Sequence, residues 1–457
     1  MSRLPRATPE SQGVPSTALL QLVSRWERQE MRAFRVVRHG YVIAEGAWAP
    51  YQDADAHQLF SLSKSFCSTA AGFAVAEGRL RLDDRVVDHM AEFAPANPTE
   101  NLRQMRVRDL LAMATGQETE SWGEGDLRRR FLATPVPKAP GTHFLYNTPA
   151  TYMVSAIVQK VTGQTLTQYL EPRLYQPLGF GSTVWEQDGQ GIDWGGFGLS
   201  LTVEDVAKFG ELLRLDGVWQ GRRILPETWV GQASAKQVSN GNGGPNDWAQ
   251  GYGFQYWRCR HGAFRGDGAF GQLCVVMSTQ GLVVAATAAV DDIQEELNAI
   301  YEALLPALSP RPIKSRRGRA ELAKKLQSLQ LPRLPVPKGG TISSALAGRY
   351  RVEGAEFREL SIVVSDQGVH VECSGEPPAS IPAMIGTWSE GNVGAQRVFA
   401  CGAPGHGVFQ VRMRWRTQTQ GEDWGLSVEG ERLKVTRKVR GVLWRSLPGD
   451  FSGVRVG

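Results

Sequence analysis

Cysteine is scarce in this chain of 457 residues. Its five residues, Cys67, Cys259, Cys274, Cys373 and Cys401, are odd in number, widely spaced and free of any C-x-x-C pair. That pattern excludes a disulfide framework and a clustered zinc site. The seven histidines form no H-E-x-x-H motif, so no metal is expected. Long apolar runs are missing too. A stretch such as Leu282-Val283-Val284-Ala285-Ala286 is a strand's worth and far below a membrane span. The start, Met1 to Pro9, is basic with no apolar core behind it. The expectation is therefore no signal peptide and a cytoplasmic location.

A dispersed basic surface is also absent, although the formal net charge is +5. Pro310 to Lys325 holds Arg311, Lys314, Arg316, Arg317, Arg319, Lys324 and Lys325 against Glu321 alone, which leaves the rest of the chain close to neutral. No stacking aromatics interleave with this run. It reads as a solvated linker rather than a nucleic-acid or membrane patch.

The chain is long enough for two or three domains. Phe34–Arg38, a His39-Gly40 turn and Tyr41–Ala44 read as a hairpin, and Leu273–Met277 with Leu282–Ala286 reads as a second. Between them the periodic segments Lys64–Glu77, Val107–Ala114, Thr151–Val161 and Val203–Leu213 read as helices. Strands at both ends of a helical insert suggest one antiparallel sheet assembled from distant sequence. The expected organisation is a first domain over 1–305, a proline-rich basic linker over 306–340 and a β-rich accessory domain over 341–457. In the last, Glu359–Val371, Val408–Trp415 and Arg432–Val439 are the visible strands.

Ser61 is the only serine with a lysine three residues on, in Phe60-Ser61-Leu62-Ser63-Lys64-Ser65-Phe66, at the start of a helical segment. Positions i and i+3 share a helix face, so Lys64 Nζ can reach Ser61 Oγ and serve as its base. Such a lysine must lose roughly three pKa units to work at neutral pH. Tyr146, in Phe144-Leu145-Tyr146-Asn147-Thr148-Pro149, lies where an extended segment opens a helix and is the candidate proton shuttle. By themselves these residues equally fit a helix with a serine near its N-cap, a packing tyrosine and a capping Thr148.

Taken together, the motifs resemble the serine β-lactamase and penicillin-binding-protein superfamily, in the branch of class C β-lactamases, DD-peptidases, carboxylesterases and 6-aminohexanoate-dimer hydrolases. Phe60–Phe66 is similar to F-S-x-x-K-S-F, and Glu77-Gly78-Arg79-Leu80-Arg81-Leu82-Asp83-Asp84 to E-G-x-L-x-L-D-D. Val107–Gly116 is similar to the L-L-x-H-T-S-G segment, with Met113 and Ala114 as departures. Tyr146 falls on the tyrosine of Y-x-N, with Thr148 in place of its asparagine, and Thr162-Gly163 and Pro177-Leu178-Gly179 follow in order. The matches cover most of residues 8–290.

The resemblance implies an α+β, β-lactamase/transpeptidase-like fold, an antiparallel sheet flanked by helices with an all-α lobe, followed here by the C-terminal all-β domain. It implies catalysis by Ser61, Lys64 and Tyr146, with oxyanion donors at the N–H groups of Ser61 and Ala269. Thr148, Gly266, Asp267 and Gly268 are the implied substrate-binding residues. The K-[ST]-G motif is represented by Gly266-Asp267-Gly268 without its cation, for which Arg265 or His261 are candidates. No cofactor is implied, and the partner is a small-molecule ester or amide. The expectation is a carboxylesterase or small-amide hydrolase. A D-amino-acid peptidase or weak β-lactamase, and an inactive ligand-binding scaffold, stand as alternatives. Cys67 is expected to be a buried small residue, and Trp194, Trp248, Tyr252 and Trp257 either line an apolar pocket or pack the core.

Overall fold

A computed structural model describes residues 3–443 and 449–456. The chain divides into two compact units, one of residues 1–46, 56–288 and 292–328 and the other of 47–55, 289–291 and 329–457.

The first unit is built on a six-stranded sheet whose order is Tyr41–Ala47, Met31–Arg38, Leu282–Ala288, Gln272–Met277, Phe264–Gly268, Trp257–Arg258. From Met31–Arg38 through to Trp257–Arg258 each strand runs antiparallel to the next, with Val36 opposite Val284, Val275 opposite Val284 and Cys274 opposite Gly266. Strands from either side of the helical stretch thus meet at the centre of the sheet. Leu282–Ala288 is buried along its whole length, which explains its unbroken apolar run. On one face lies the helix Val203–Arg214. It comes so close that a Cβ on Gly210 would sit 2.5 Å from Val283 Cγ1 and 2.9 Å from Cys274 Sγ. Phe209 of that helix stacks on Phe66, 4.1 Å between ring centres, and so carries the helix Ser63–Ala76. That helix packs in turn on Thr148–Thr162. A small sheet pairs His57–Gln58 with Leu199–Leu201, tying the chain just before Ser61 to the segment that follows Gly196.

The basic segment is not wholly solvated. The helix Arg319–Gln327 lies in the first unit, where Arg319 pairs with the buried Glu10 at 2.8 Å and Lys325 with Glu27 at 2.7 Å. Of the stretch 306–340, residues up to 328 belong to the first unit and the remainder to the second.

The second unit is a closed barrel of ten antiparallel strands from Gly348–Glu353 to Phe451–Arg455, in which each strand pairs with its neighbour in sequence and the last closes on the first. Arg432–Arg440 shows the alternation expected of a strand with one wet face, with Leu433, Val435 and Arg437 turned inward. Among the described residues no helix is long and apolar enough to cross a membrane.

Candidate active site

Ser61 lies in a single 3₁₀ turn, Phe60–Leu62, that runs into the helix Ser63–Ala76. The preceding Phe60 has φ +47°, an uncommon conformation for a bulky side chain, and its ring packs edge-on against Phe270 at 5.7 Å. This turn presents Ser61, half-buried, above the fully enclosed Lys64.

Lys64 Nζ lies 3.0 Å from Ser61 Oγ, 3.2 Å from Thr148 Oγ1 and 2.8 Å from the Gly196 carbonyl oxygen. As an ammonium, Nζ donates to all three oxygens; as a neutral amine it can keep its bonds to Gly196 O and Thr148 Oγ1 and turn its lone pair to the Ser61 hydroxyl. Burial drives the lysine pKa down to about 7, and the Glu120 and Asp267 carboxylates hold it from falling further. Gly196 has to be glycine, since a Cβ would meet Thr148 Cγ2 at 2.6 Å.

Tyr146 completes the group. Its hydroxyl is hydrogen-bonded to Ser61, and Lys64 Nζ sits 4.9 Å from its ring centre. Burial first and the Asp267 carboxylate second push the phenol well above its ordinary pKa, so it stays protonated. The ring stacks on Trp257 at 5.2 Å, and Tyr252 meets Trp257 edge-on at 4.8 Å. Met113, one of the departures noted in the sequence, fixes this loop on both sides. Its carbonyl accepts from Leu145 N at 3.0 Å and its Sδ from Asn147 N at 3.2 Å.

The helix after Tyr146 is capped by Asn147, not by Thr148. Asn147 Oδ1 accepts from Ala150 N at 3.2 Å, and its Nδ2 donates to Gln117 Oε1 at 2.8 Å. Asparagine is a good cap, and its presence frees the Thr148 hydroxyl for Lys64. The same helix start is held by Glu120, whose Oε1 accepts from Thr148 N at 2.7 Å.

Gly266 and Gly268 lie on the strand Phe264–Gly268 and press on the segment that carries Ser61. A Cβ at 266 would lie 2.4 Å from Ser65 Oγ, and one at 268 would lie 2.0 Å from the Leu59 carbonyl oxygen. Ala269 follows directly, beside the turn that carries Ser61. The candidate cations do not stand where the sequence comparison wanted one. Arg265 is fully buried, bound to Asp267 Oδ2 at 2.7–2.8 Å, to the Asp247 carbonyl at 3.0 Å and to Cys259 Sγ at 3.0 Å. His261 packs edge-on against Tyr301 in the turn Arg260–Gly262. Cys67 is buried, its thiol pKa raised by burial, and its Sγ lies 3.7 Å from the Thr151 carbonyl. Trp248 lies 4.4 Å from the Arg265 guanidinium, and Trp194 stacks on Phe197 at 5.0 Å.

Three contributors went unread in the sequence. Glu120 and Gly196 lie in stretches without periodicity or motif. Gln255 joins the lobes from within: its carbonyl accepts from Ser65 Oγ, while its side chain bonds Thr151 Oγ1 and the carbonyls of Leu110 and Leu111. Among the described residues no group of three or more His, Cys, Asp or Glu could hold a metal ion.

Known proteins resemble this chain in sequence and in fold. The 6-aminohexanoate-dimer hydrolase of Paenarthrobacter ureafaciens is 28% identical over 285 residues, which is 56% of this chain and 72% of that protein. A penicillin-binding-protein homologue from Caulobacter crescentus superposes with a TM-score of 0.53 at 18% identity, covering 64% of this chain and 99% of that one. An octameric penicillin-binding protein homologue from Pyrococcus abyssi gives 0.51 at 16% identity over 92% of this chain and 99% of its own. At such identities the solved structures speak for the fold alone, which is that of β-lactamases and transpeptidases. A family model described as Beta-lactamase matches residues 23–307, and the chain belongs to that family.

Proposed function

We propose that the protein is a serine hydrolase that cleaves an ester or amide through a covalent acyl-enzyme on Ser61. The observation that carries this reading is the 3.0 Å contact between Ser61 Oγ and a buried Lys64 whose pKa is brought to about 7. A base with that pKa is half ready at neutral pH, close to the optimum for proton abstraction. In this reading Ser61 Oγ attacks the carbonyl carbon as its proton passes to Lys64 Nζ. The oxyanion that forms is met by the N–H groups of Ser61 and Ala269. The carbon–heteroatom bond then breaks, and the leaving atom takes a proton from Tyr146, which recovers it from Lys64. Water repeats the sequence on the acyl-enzyme and releases the carboxylic acid. Tyr146 suits the donor role because its raised pKa keeps the phenol protonated.

A carboxylesterase or small-amide hydrolase fits better than a D-amino-acid peptidase or β-lactamase, because Arg265 is enclosed and already paired. The test is a fluorophosphonate probe with p-nitrophenyl butyrate on the wild type, Ser61→Ala and Tyr146→Phe. Labelling and turnover are expected to vanish in Ser61→Ala. Tyr146→Phe should keep labelling but lose on the order of 10²–10⁴-fold in rate, the usual contribution of a positioned proton donor. A wild type that neither labels nor turns over ester would leave the binding-scaffold reading in its place.

A further inference from the structure

The charges around the catalytic lysine rule against an anionic substrate. Position 266 cannot carry a cation in this backbone, because the first side-chain atom would already lie 2.4 Å from Ser65 Oγ and 2.5 Å from Leu62 Cδ1. Arg265 is sealed beneath and balances Asp267. Glu120 is different. It is exposed, and its two oxygens are aimed by the N–H of Thr148 at 2.7 Å and Trp122 Nε1 at 2.9 Å. Both donors are neutral, so they orient its charge without cancelling it, and the amine its field reaches, Lys64, is only partly charged near pH 7. Thr148 is also a direct neighbour of Lys64, which puts this carboxylate one residue from the reacting centre.

Beside Glu120 lies an open aromatic wall. Trp122 is 37% exposed, an unusual position for so large a ring, and its centre lies 6.3 Å from both Trp194 and Phe197, which stack on each other. A fixed carboxylate next to accessible aromatic faces is the chemistry that holds an ammonium group. We infer that the rim formed by Glu120, Trp122, Trp194 and Phe197 receives a protonated or quaternary amine borne by the ester or amide that Ser61 attacks. The inference rests on the hydrolase reading above and names the substrate class of that same site.

The test compares three p-nitrophenyl esters whose acyl chains match in length and end in trimethylammonium, tert-butyl or carboxylate. A second pair, the butyrates of choline and 3,3-dimethylbutanol, places the charge on the alcohol instead. The trimethylammonium and tert-butyl groups match in shape, so their ratio of kcat/KM reports charge alone. The cationic ester is expected to lead by about tenfold in at least one series, equal to about 1.4 kcal/mol, with the carboxylate slowest. In Glu120→Gln the ratio should fall toward one, and added salt should reduce it in the wild type. Taking the ratio within each variant cancels any general loss from the broken bond to Thr148. Trp122→Leu, which removes the exposed ring and its hydrogen bond to Glu120 Oε2 but leaves the bond from Thr148 N, should lower the same ratio. Turnover of all esters at equal rates, or a preference unchanged in both variants, would overturn the inference and leave the hydrolase reading standing. Absence of both turnover and fluorophosphonate labelling would overturn the two together.

Discussion

In the proposed mechanism Lys64 is the residue on which the chemistry turns, and its environment predicts a pH dependence. In that mechanism the neutral amine is the working form, so kcat/KM for an uncharged ester should rise with pH along a single limb with a midpoint near 7. Glu120 holds the lysine pKa up, so Glu120→Gln should move that limb to lower pH. A midpoint near 4 or near 10 would assign the base elsewhere. Folding carries the same signature with its own sign. Between about pH 7 and the ordinary lysine value of 10.5, the unfolded chain binds a proton that the folded chain does not. Stability therefore increases as pH rises through that window. Lys64→Met should remove this slope, which thermal denaturation at pH 7, 8.5 and 10 would show. The contact of Lys64 with Ser61 was legible in the sequence, since residues three apart share a helix face. The altered pKa of the lysine was legible only as a requirement. The enclosure that produces it comes from Thr148, Gly196 and the sheet, all distant in sequence.

At the scale of elements, the segments that periodicity marked are those that bury a face against the sheet. Ser63–Ala76, Thr148–Thr162 and Val203–Arg214 lie within a few residues of their expected bounds, and both hairpins pair as read. The cap of the second helix was misplaced by one residue, because Asn147 and Thr148 are both competent caps and only tertiary contacts choose between them. Asn147→Ala should consequently cost about 1–2 kcal/mol in chemical denaturation, since it removes the acceptor for Ala150 N and a partner of Gln117. Asn147→Asp keeps the capping oxygen and should recover part of that loss. Most barrel strands escaped notice for a different reason. Ser389–Val393, for example, is polar and never fully buried, and Gln396–Pro404 is enclosed on both faces over most of its length, so neither shows clean alternation. Glu120 was illegible because its role depends on where an irregular loop passes, and loops carry no period.

For the whole molecule, charge is a local matter in both units, and the barrel makes that testable. Arg437 points inward, where Glu422 binds it at 2.8 Å and Glu356 at 2.7 Å, while Trp424 Nε1 and Gln420 Nε2 donate to the same Glu422 carboxylate. Arg437 and Glu422 are both almost wholly enclosed, so each relies on the other, and Arg437 also on Glu356, for the contacts that water would otherwise supply. Removing one partner leaves a buried ion with a reduced shell. Glu422→Ala should therefore destabilise the protein by about 3–5 kcal/mol. Replacing both ends, Glu422→Leu with Arg437→Met, removes the two enclosed charges, leaves only the partly exposed Glu356 without its partner, and should recover most of that loss. Denaturant unfolding of the single and double variants separates the two cases. If the double variant is as unstable as the single, the network contributes through packing and not through charge. Equal stability of all three would mean that water reaches Arg437 freely, contrary to its enclosure.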